Sequence, residues 1–154
     1  MSVVDSVFVA GAESVGQVVG WVVEVAGAEV MLQDGDAVRL RVGAATVDGW
    51  LGMVVQPNGY VEVDPEPDEI QAMDAYGIEV QLRGGGAEAT LHVEAGLIFD
   101  KLVAARPDVA MLLVHDLDFL VAAHLPDVGT HTFDPPVTPD PPDDVVWRPW
   151  VVGT

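Results

Sequence analysis

The sequence predicts an α+β fold: an antiparallel sheet with about two helices packed on one face and a Pro-rich C-terminal strap. Three observations predict it. Residues 12–26 and 87–105 repeat apolar side chains at helical spacing, the stretches around them are short β-like runs broken by Gly, Asn and Asp, and prolines cluster after Pro126. At 154 residues and 50% hydrophobic content the chain is long enough to bury one core. Residues 1–154 are therefore expected to form a single domain, with 126–154 docking on it as an extended tail.

Val3 to Val9 is short and valine-rich and reads as a first strand. From Ala12 to Ala26, Val15, Val18, Val19, Val22 and Val25 recur at helical spacing, with Glu13 near the positive end of the helix dipole. The many valines make a strand the competing reading. Four β-like runs follow: Glu29–Gln33, Ala37–Val42, Thr46–Gln56 and Tyr60–Asp64. Asp34-Gly35-Asp36 and Pro57-Asn58-Gly59 separate them in pairs and predict two hairpins, because glycine accepts positive φ. Trp50 and Tyr60 flank the second turn, as a cross-strand pair or as ordinary sheet aromatics. After the acidic, proline-broken loop from Asp64 to Glu69, Ile70–Ala75 reads as a helical turn and Gly77–Arg83 as a strand ended by Gly84-Gly85-Gly86. Leu91, Ala95, Ile98, Leu102 and Ala105 mark one buried face of a second helix, Ala87–Ala105, which Pro107 stops. Ala110–His115 and Phe119–His124 form a last hairpin across Asp116-Leu117-Asp118. Trp147 and Trp150 give the tail something to dock with.

Charge is the outlier of the composition. Twenty-five Asp and Glu against 6 Lys and Arg give a formal net charge of -19. A field of that sign disfavours nucleic acid and anionic lipid and speeds capture of a basic protein, although an acidic proteome gives the same composition. The acids are unevenly placed. Residues 61–79 hold Glu62, Asp64, Glu66, Asp68, Glu69, Asp74 and Glu79, and 108–144 hold eight more, with no Lys or Arg in either stretch. They read as a face complementary to a basic partner or as two solvated loops. Asp64, Glu66, Asp68, Glu69 and Asp74 are the expected partner-binding residues.

No catalytic constellation competes with that reading. The chain has no cysteine, which removes disulfides, thiolate nucleophiles and zinc-thiolate sites. Ser2, Ser6 and Ser14 are its only serines, and none sits in a Gly-x-Ser-x-Gly elbow. The imidazoles are His92, His115, His124 and His131; His115-Asp116-Leu117-Asp118 is the nearest approach to a ligand cluster, but turn side chains diverge and no zinc spacing is present. Gly84-Gly85-Gly86 lacks the ending of a phosphate-binding loop. The expectation is no enzyme, no metal and no cofactor. Nor is there an apolar run of about 18 residues or a basic, apolar leader at the N-terminus, so a cytoplasmic location is expected.

Leu97-Ile98-Phe99-Asp100-Lys101 on a helix, then Pro107-Asp108-Val109-Ala110-Met111-Leu112-Leu113-Val114 and a short turn into Phe119-Leu120-Val121, resembles bacterial immunity proteins of the Sit type, the antidotes of polymorphic toxins. The resemblance covers roughly residues 70–125 and lies in the hydrophobic rhythm; the Pro-rich tail departs from it. It implies a protein that binds and occludes a cognate toxin in the producing cell and carries no catalytic residues. The expected function is thus an antidote that covers a basic toxin domain with an acidic surface. The alternative is a non-catalytic structural or assembly accessory, of phage or secretion-system type, whose acidity serves solubility.

Overall fold

The computed structural model describes residues 4–11, 14–60, 66, 69–84 and 86–153. In chain order they form β1 (Val4–Val9), α1 (Val15–Ala26), β2 (Glu29–Asp34), β3 (Ala37–Gly43), β4 (Trp50–Pro57), β5 (Ile78–Arg83), α2 (Glu88–Ala105), β6 (Met111–His115), β7 (Phe119–Leu125), β8 (Gly129–Val137) and a short α3 (Asp144–Trp147) between two 3-10 turns. The strands make one eight-stranded sheet, ordered β2-β3-β4-β5-β1-β6-β7-β8, in which every pairing is antiparallel. The α+β class expected from the sequence is the observed one.

The N-terminal strand is the centre of this sheet, between β5 and β6. Alternating side chains point to opposite faces of a strand, and in β1 both faces are covered. Val7 and Val9 join one core with Val18, Trp21 and Val22 of α1 and Leu91, Ile98, Phe99 and Leu102 of α2. Phe8 and Ala10 join a second core on the reverse face, with Ala72, Met73 and Tyr76 from the turn before β5 and with Trp147 and Val151 from the C-terminal segment. The two long helices therefore share one face, as expected, and the C-terminal segment closes part of the other.

Local chemistry sets the helix ends. Ser14 Oγ accepts the Gln17 N–H at 3.1 Å, and Gly27 (φ 69°) turns the chain out so that the Gly27 and Ala28 N–H groups reach back to Val23 and Val22. α1 thus begins three residues later than its periodicity suggests; Ala12 and Glu13 lie outside the described residues. α2 buries the expected Leu91, Ala95, Ile98 and Leu102, and also Phe99 and Glu94, while Ala105 is exposed. Glu94 pins the loop before β4: its carboxylate accepts Ala45 N at 2.7 Å, Thr46 N at 2.8 Å and Thr46 Oγ1 at 2.6 Å.

Three expectations need correction. β4 begins at Trp50 rather than Thr46, because residues 45 and 46 are held by Glu94 instead of a neighbouring strand. The pairing partners of β4 are β3 and β5, and of the strand expected at Tyr60–Asp64 only Tyr60 is described, outside any strand; 61–64 lie outside the described residues. Asn58 does other work there, donating from Nδ2 to the Met73 and Tyr76 carbonyls at 2.9 and 2.8 Å. Trp50 and Tyr60 consequently do not pair; Trp50 lies under the Arg41 guanidinium at 4.0 Å and Tyr60 meets Phe8 edge-on at 6.1 Å. Finally, the tail is not all strap. Gly129–Val137 is an edge strand, and Pro135 and Pro136 fall in the register slip between Thr132 and Val137, where no partner on β7 calls for their N–H groups. At the opposite edge every residue of β2 is exposed, including Val30, Met31 and Leu32, and the register slips between Val30 and Leu32.

Burial by itself raises the Glu94 carboxyl, but the donors of Thr46 and Ala45, with Lys101, outweigh it and hold it below the usual glutamate range. A folded pKa below the unfolded one stabilises the protein above about pH 4.3, and that contribution is lost as pH falls through the folded value. Glu94→Gln is expected to lower the urea midpoint at pH 7, read by tryptophan fluorescence, with a deficit that shrinks below about pH 4. An equal deficit across that range would show that the charge is not what holds the loop.

Candidate functional site

The expected partner-binding acids divide by location. Glu66 and Glu69 are exposed, and the Glu66 N–H donates to Glu69 Oε2 at 3.1 Å. Asp74 is half-buried and its Oδ2 accepts the Gln71 N–H at 3.0 Å, so it braces its own turn. Asp64 and Asp68 lie outside the described residues. Glu79, from the same acidic run, is buried on β5, where it accepts Ser6 Oγ at 2.6 Å and Gln56 Nε2 at 2.8 Å.

The structure does bring the two acid-only stretches together. The Ala72 N–H donates to the Pro139 carbonyl at 2.9 Å, and Gln71 Nε2 to Asp140 Oδ1 at 2.7 Å. Tyr76, buried and with its phenol pushed up to about 12 by that burial, accepts the Val152 N–H at 3.1 Å. The Trp147 indole fills the core beneath and donates to the Asp140 carbonyl at 3.1 Å. Some acids of the strap are spent on its own shape: Asp143 accepts Thr138 N and Oγ1, both at 2.8 Å, and Asp144 pairs with Arg148 at 2.9 Å. Glu66, Glu69 and Asp140 remain exposed around the junction.

A second constellation lies on the helix face of the sheet. Asp5 and His115 are register partners on β1 and β6, which puts their side chains on one face, and α2 carries His92 across them. Asp5 is fully buried. His92 Nδ1 stands 2.6 Å from Asp5 Oδ2, and His115 Nδ1 stands 2.9 Å from the same oxygen but off the axis of a hydrogen bond. The two imidazoles stack, with centroids 3.8 Å apart. One helical turn before His92, Glu88 Oε1 lies 3.3 Å from its Nε2. The turn after β6 completes the cluster. Asp116 and Leu117 both adopt positive φ, 54° and 61°, which is uncommon for residues with a Cβ and a reversal suited to a hairpin. That reversal aims the Asp116 N–H at the Val4 carbonyl (2.8 Å) and at Asp5 Oδ1 (3.3 Å).

Burial acts to raise the Asp5 carboxyl; the closeness of His115 and His92 outweighs it and holds the group below the usual aspartate range. Burial lowers His92, yet its hydrogen bond to Asp5 and the nearby acids win and raise it. Asp116 is raised, by burial first and then by its contact with the Glu88 carboxylate. The other histidines are differently employed. His124 is buried between Thr130 Oγ1 and the Pro107 carbonyl, each at 2.8 Å, and His131 stacks on Trp150 at 4.3 Å.

Sequence reasoning singled out His115 and Asp116 but expected their side chains to diverge, and it passed over Asp5 altogether. The signal lies in pairing register. Asp5 is a lone acid in a valine-rich strand, and only the β1–β6 alignment sets it beside His115. The loops also frame an open apolar groove of about 540 Å³ between α1 and β2–β3, lined by Val15, Val19, Val30 and Val38. No helix among the described residues is long and apolar enough to cross a membrane. No family model, curated protein or solved structure matches the chain.

His92→Ala removes the donor that serves a buried carboxylate. It is expected to cost about 1–3 kcal/mol in urea unfolding at pH 7, whereas His131→Ala, on the edge strand β8, is expected to cost less. Equal effects would mean that Asp5 draws no support from His92.

Proposed function

We infer that this protein is a non-catalytic antidote that binds and occludes a basic protein partner, a toxin domain in the class that Sit-type immunity proteins neutralise. The observation that supports this reading is the docking of the 66–76 turn on the 139–152 segment. It sets Gln71 against Asp140, 69 positions further along the chain, and Ala72 against Pro139, so that the turn that follows Glu66 and Glu69 meets the segment that carries Asp140. Apart from Arg148, which is paired with Asp144, neither segment carries a Lys or Arg.

Carboxylates collected in this way act on association more than on the fold. Their field reaches about 8 Å at physiological ionic strength, which favours encounter with a basic surface and penalises an acidic one. They are also supported from below: Trp147, Tyr76 and Met73 are buried under the junction, so the charged groups are presented on a packed base and not on a free tail. In this reading the protein acts in the cytoplasm of the producing cell, ahead of the toxin's own target.

The test is a triple neutralisation, Glu66→Gln, Glu69→Gln and Asp140→Asn, which keeps each side-chain shape. Wild-type bait in a lysate of the source cell is expected to retain a basic protein, identified by mass spectrometry. The variant is expected to associate with that protein at least about tenfold more slowly at low salt, with a flatter dependence on ionic strength and an unchanged melting temperature. Retention with the same rate and the same salt dependence would remove the acidic junction from the interface. Failure of the wild-type bait to retain any basic protein would remove the antidote reading.

A further inference from the structure

Around Asp5 the donor atoms converge on one point, and negative charge is in excess. Asp5 Oδ1 is tied down by the Asp116 N–H, which leaves Oδ2 facing the Nδ1 atoms of both imidazoles. His115 Nδ1 is buried 2.9 Å from that oxygen and makes no hydrogen bond among the described residues. On the far side of the His92 ring, Nε2 meets Glu88 Oε1, the carboxylate–imidazole arrangement that orients a metal-binding histidine and increases its basicity. Asp5, Glu88 and Asp116 bring three carboxylates to the cluster, and among the described residues their ion pairs are to histidine alone, with no Lys or Arg.

We propose that Asp5 Oδ2, His92 Nδ1 and His115 Nδ1 bind one divalent transition-metal ion of the zinc type. Two imidazole nitrogens and one carboxylate oxygen are borderline donors that favour zinc and its neighbours over calcium or magnesium. Three protein ligands leave a fourth tetrahedral position, which the partly exposed edges of His92 and His115 open to solvent. Bonds of about 2.0–2.2 Å set tetrahedral ligand atoms about 3.3–3.5 Å apart. The three donors already lie within 4.8 Å of one another. The present contacts of 2.6 and 2.9 Å therefore open by less than about 1 Å to admit the ion. Asp5 and His115 sit on paired strands and His92 in the middle of an 18-residue helix, so the ligands stand on regular structure and not on loops. Glu88 and Asp116 stay outside the ligand set, Glu88 on His92 and Asp116 on Asp5, and bias the site toward a cation.

Chelator-treated full-length protein is titrated with Zn²⁺ by calorimetry in physiological salt, and with Co²⁺ while its visible spectrum is recorded. One equivalent is expected to bind with a Kd of about 1 μM or tighter, and the Co²⁺ form is expected to show the intense bands of a four-coordinate ion. His115→Ala removes no hydrogen bond among the described residues, and retention of its fold is checked by circular dichroism and urea unfolding before the titration. It and His92→Ala are expected to weaken Zn²⁺ at least about 100-fold, more than loss of an outer partner does, while His131→Ala binds as wild type. Absence of a single tight site, a six-coordinate Co²⁺ spectrum, or Zn²⁺ uptake that survives in His115→Ala would each overturn the assignment, the last by locating the metal on surface carboxylates.

Discussion

Everything in this molecule hangs on β1 being buried on both faces. Four of its neighbours in space are formed from residues made much later in the chain: β5 and β6 beside it, α2 over one face and the C-terminal segment toward the other. Val7 and Val9 serve the helix side, Phe8 and Ala10 the reverse. The same alternation places two polar side chains inside, and each finds its partner on its own face, Ser6 with Glu79 and Asp5 with His92 and His115. A buried polar group is tolerated only when such partners are supplied. The strand that unites the two cores thereby creates two of the interior polar clusters, separate from those of Glu94 and His124.

What the sequence disclosed were the parts governed by neighbours along the chain. The 3.6-residue period of α2, the Gly27 stop of α1, the β2–β3 hairpin around Gly35 and the β6–β7 hairpin around Asp116-Leu117 all follow from local rules. What it concealed were pairings between distant residues. Asn58-Gly59 has the chemistry of a hairpin turn, yet the Asn58 amide is used to clamp the carbonyls of Met73 and Tyr76, and β4 finds β5 across a long excursion. Pro135-Pro136 argued against a strand, but the edge strand β8 slips its register there and leaves both prolines without a pairing to serve. The Asp5 cluster was hidden for the same reason, since 87 positions separate Asp5 from His92.

The two candidate regions lie on opposite faces of one sheet and differ in how their charge is placed. At the junction of the 69–76 turn with the 139–152 segment, Glu69 and Asp140 are exposed above a packed apolar base. Asp5 instead points inward, where a low-dielectric setting makes an unbalanced charge costly and a counter-charge valuable. β1 and its partners stand between the regions, which draw on separate cores.

The outer edge of β2 adds a consequence of a colloidal kind. Its backbone is unpaired on one side and Val30, Met31 and Leu32 are open to solvent, the combination that invites a second chain to extend a sheet. Apart from the register slip and the acids at the strand's two ends, Glu29 and Asp34, little in the strand itself discourages this. Long-range repulsion between copies at a net charge of -19 is what keeps such edges apart. With an isoelectric point near 4.1, that protection disappears in mild acid while the edge remains. Charge repulsion between copies is thus sensitive to pH and salt in a way that the exposed edge itself is not.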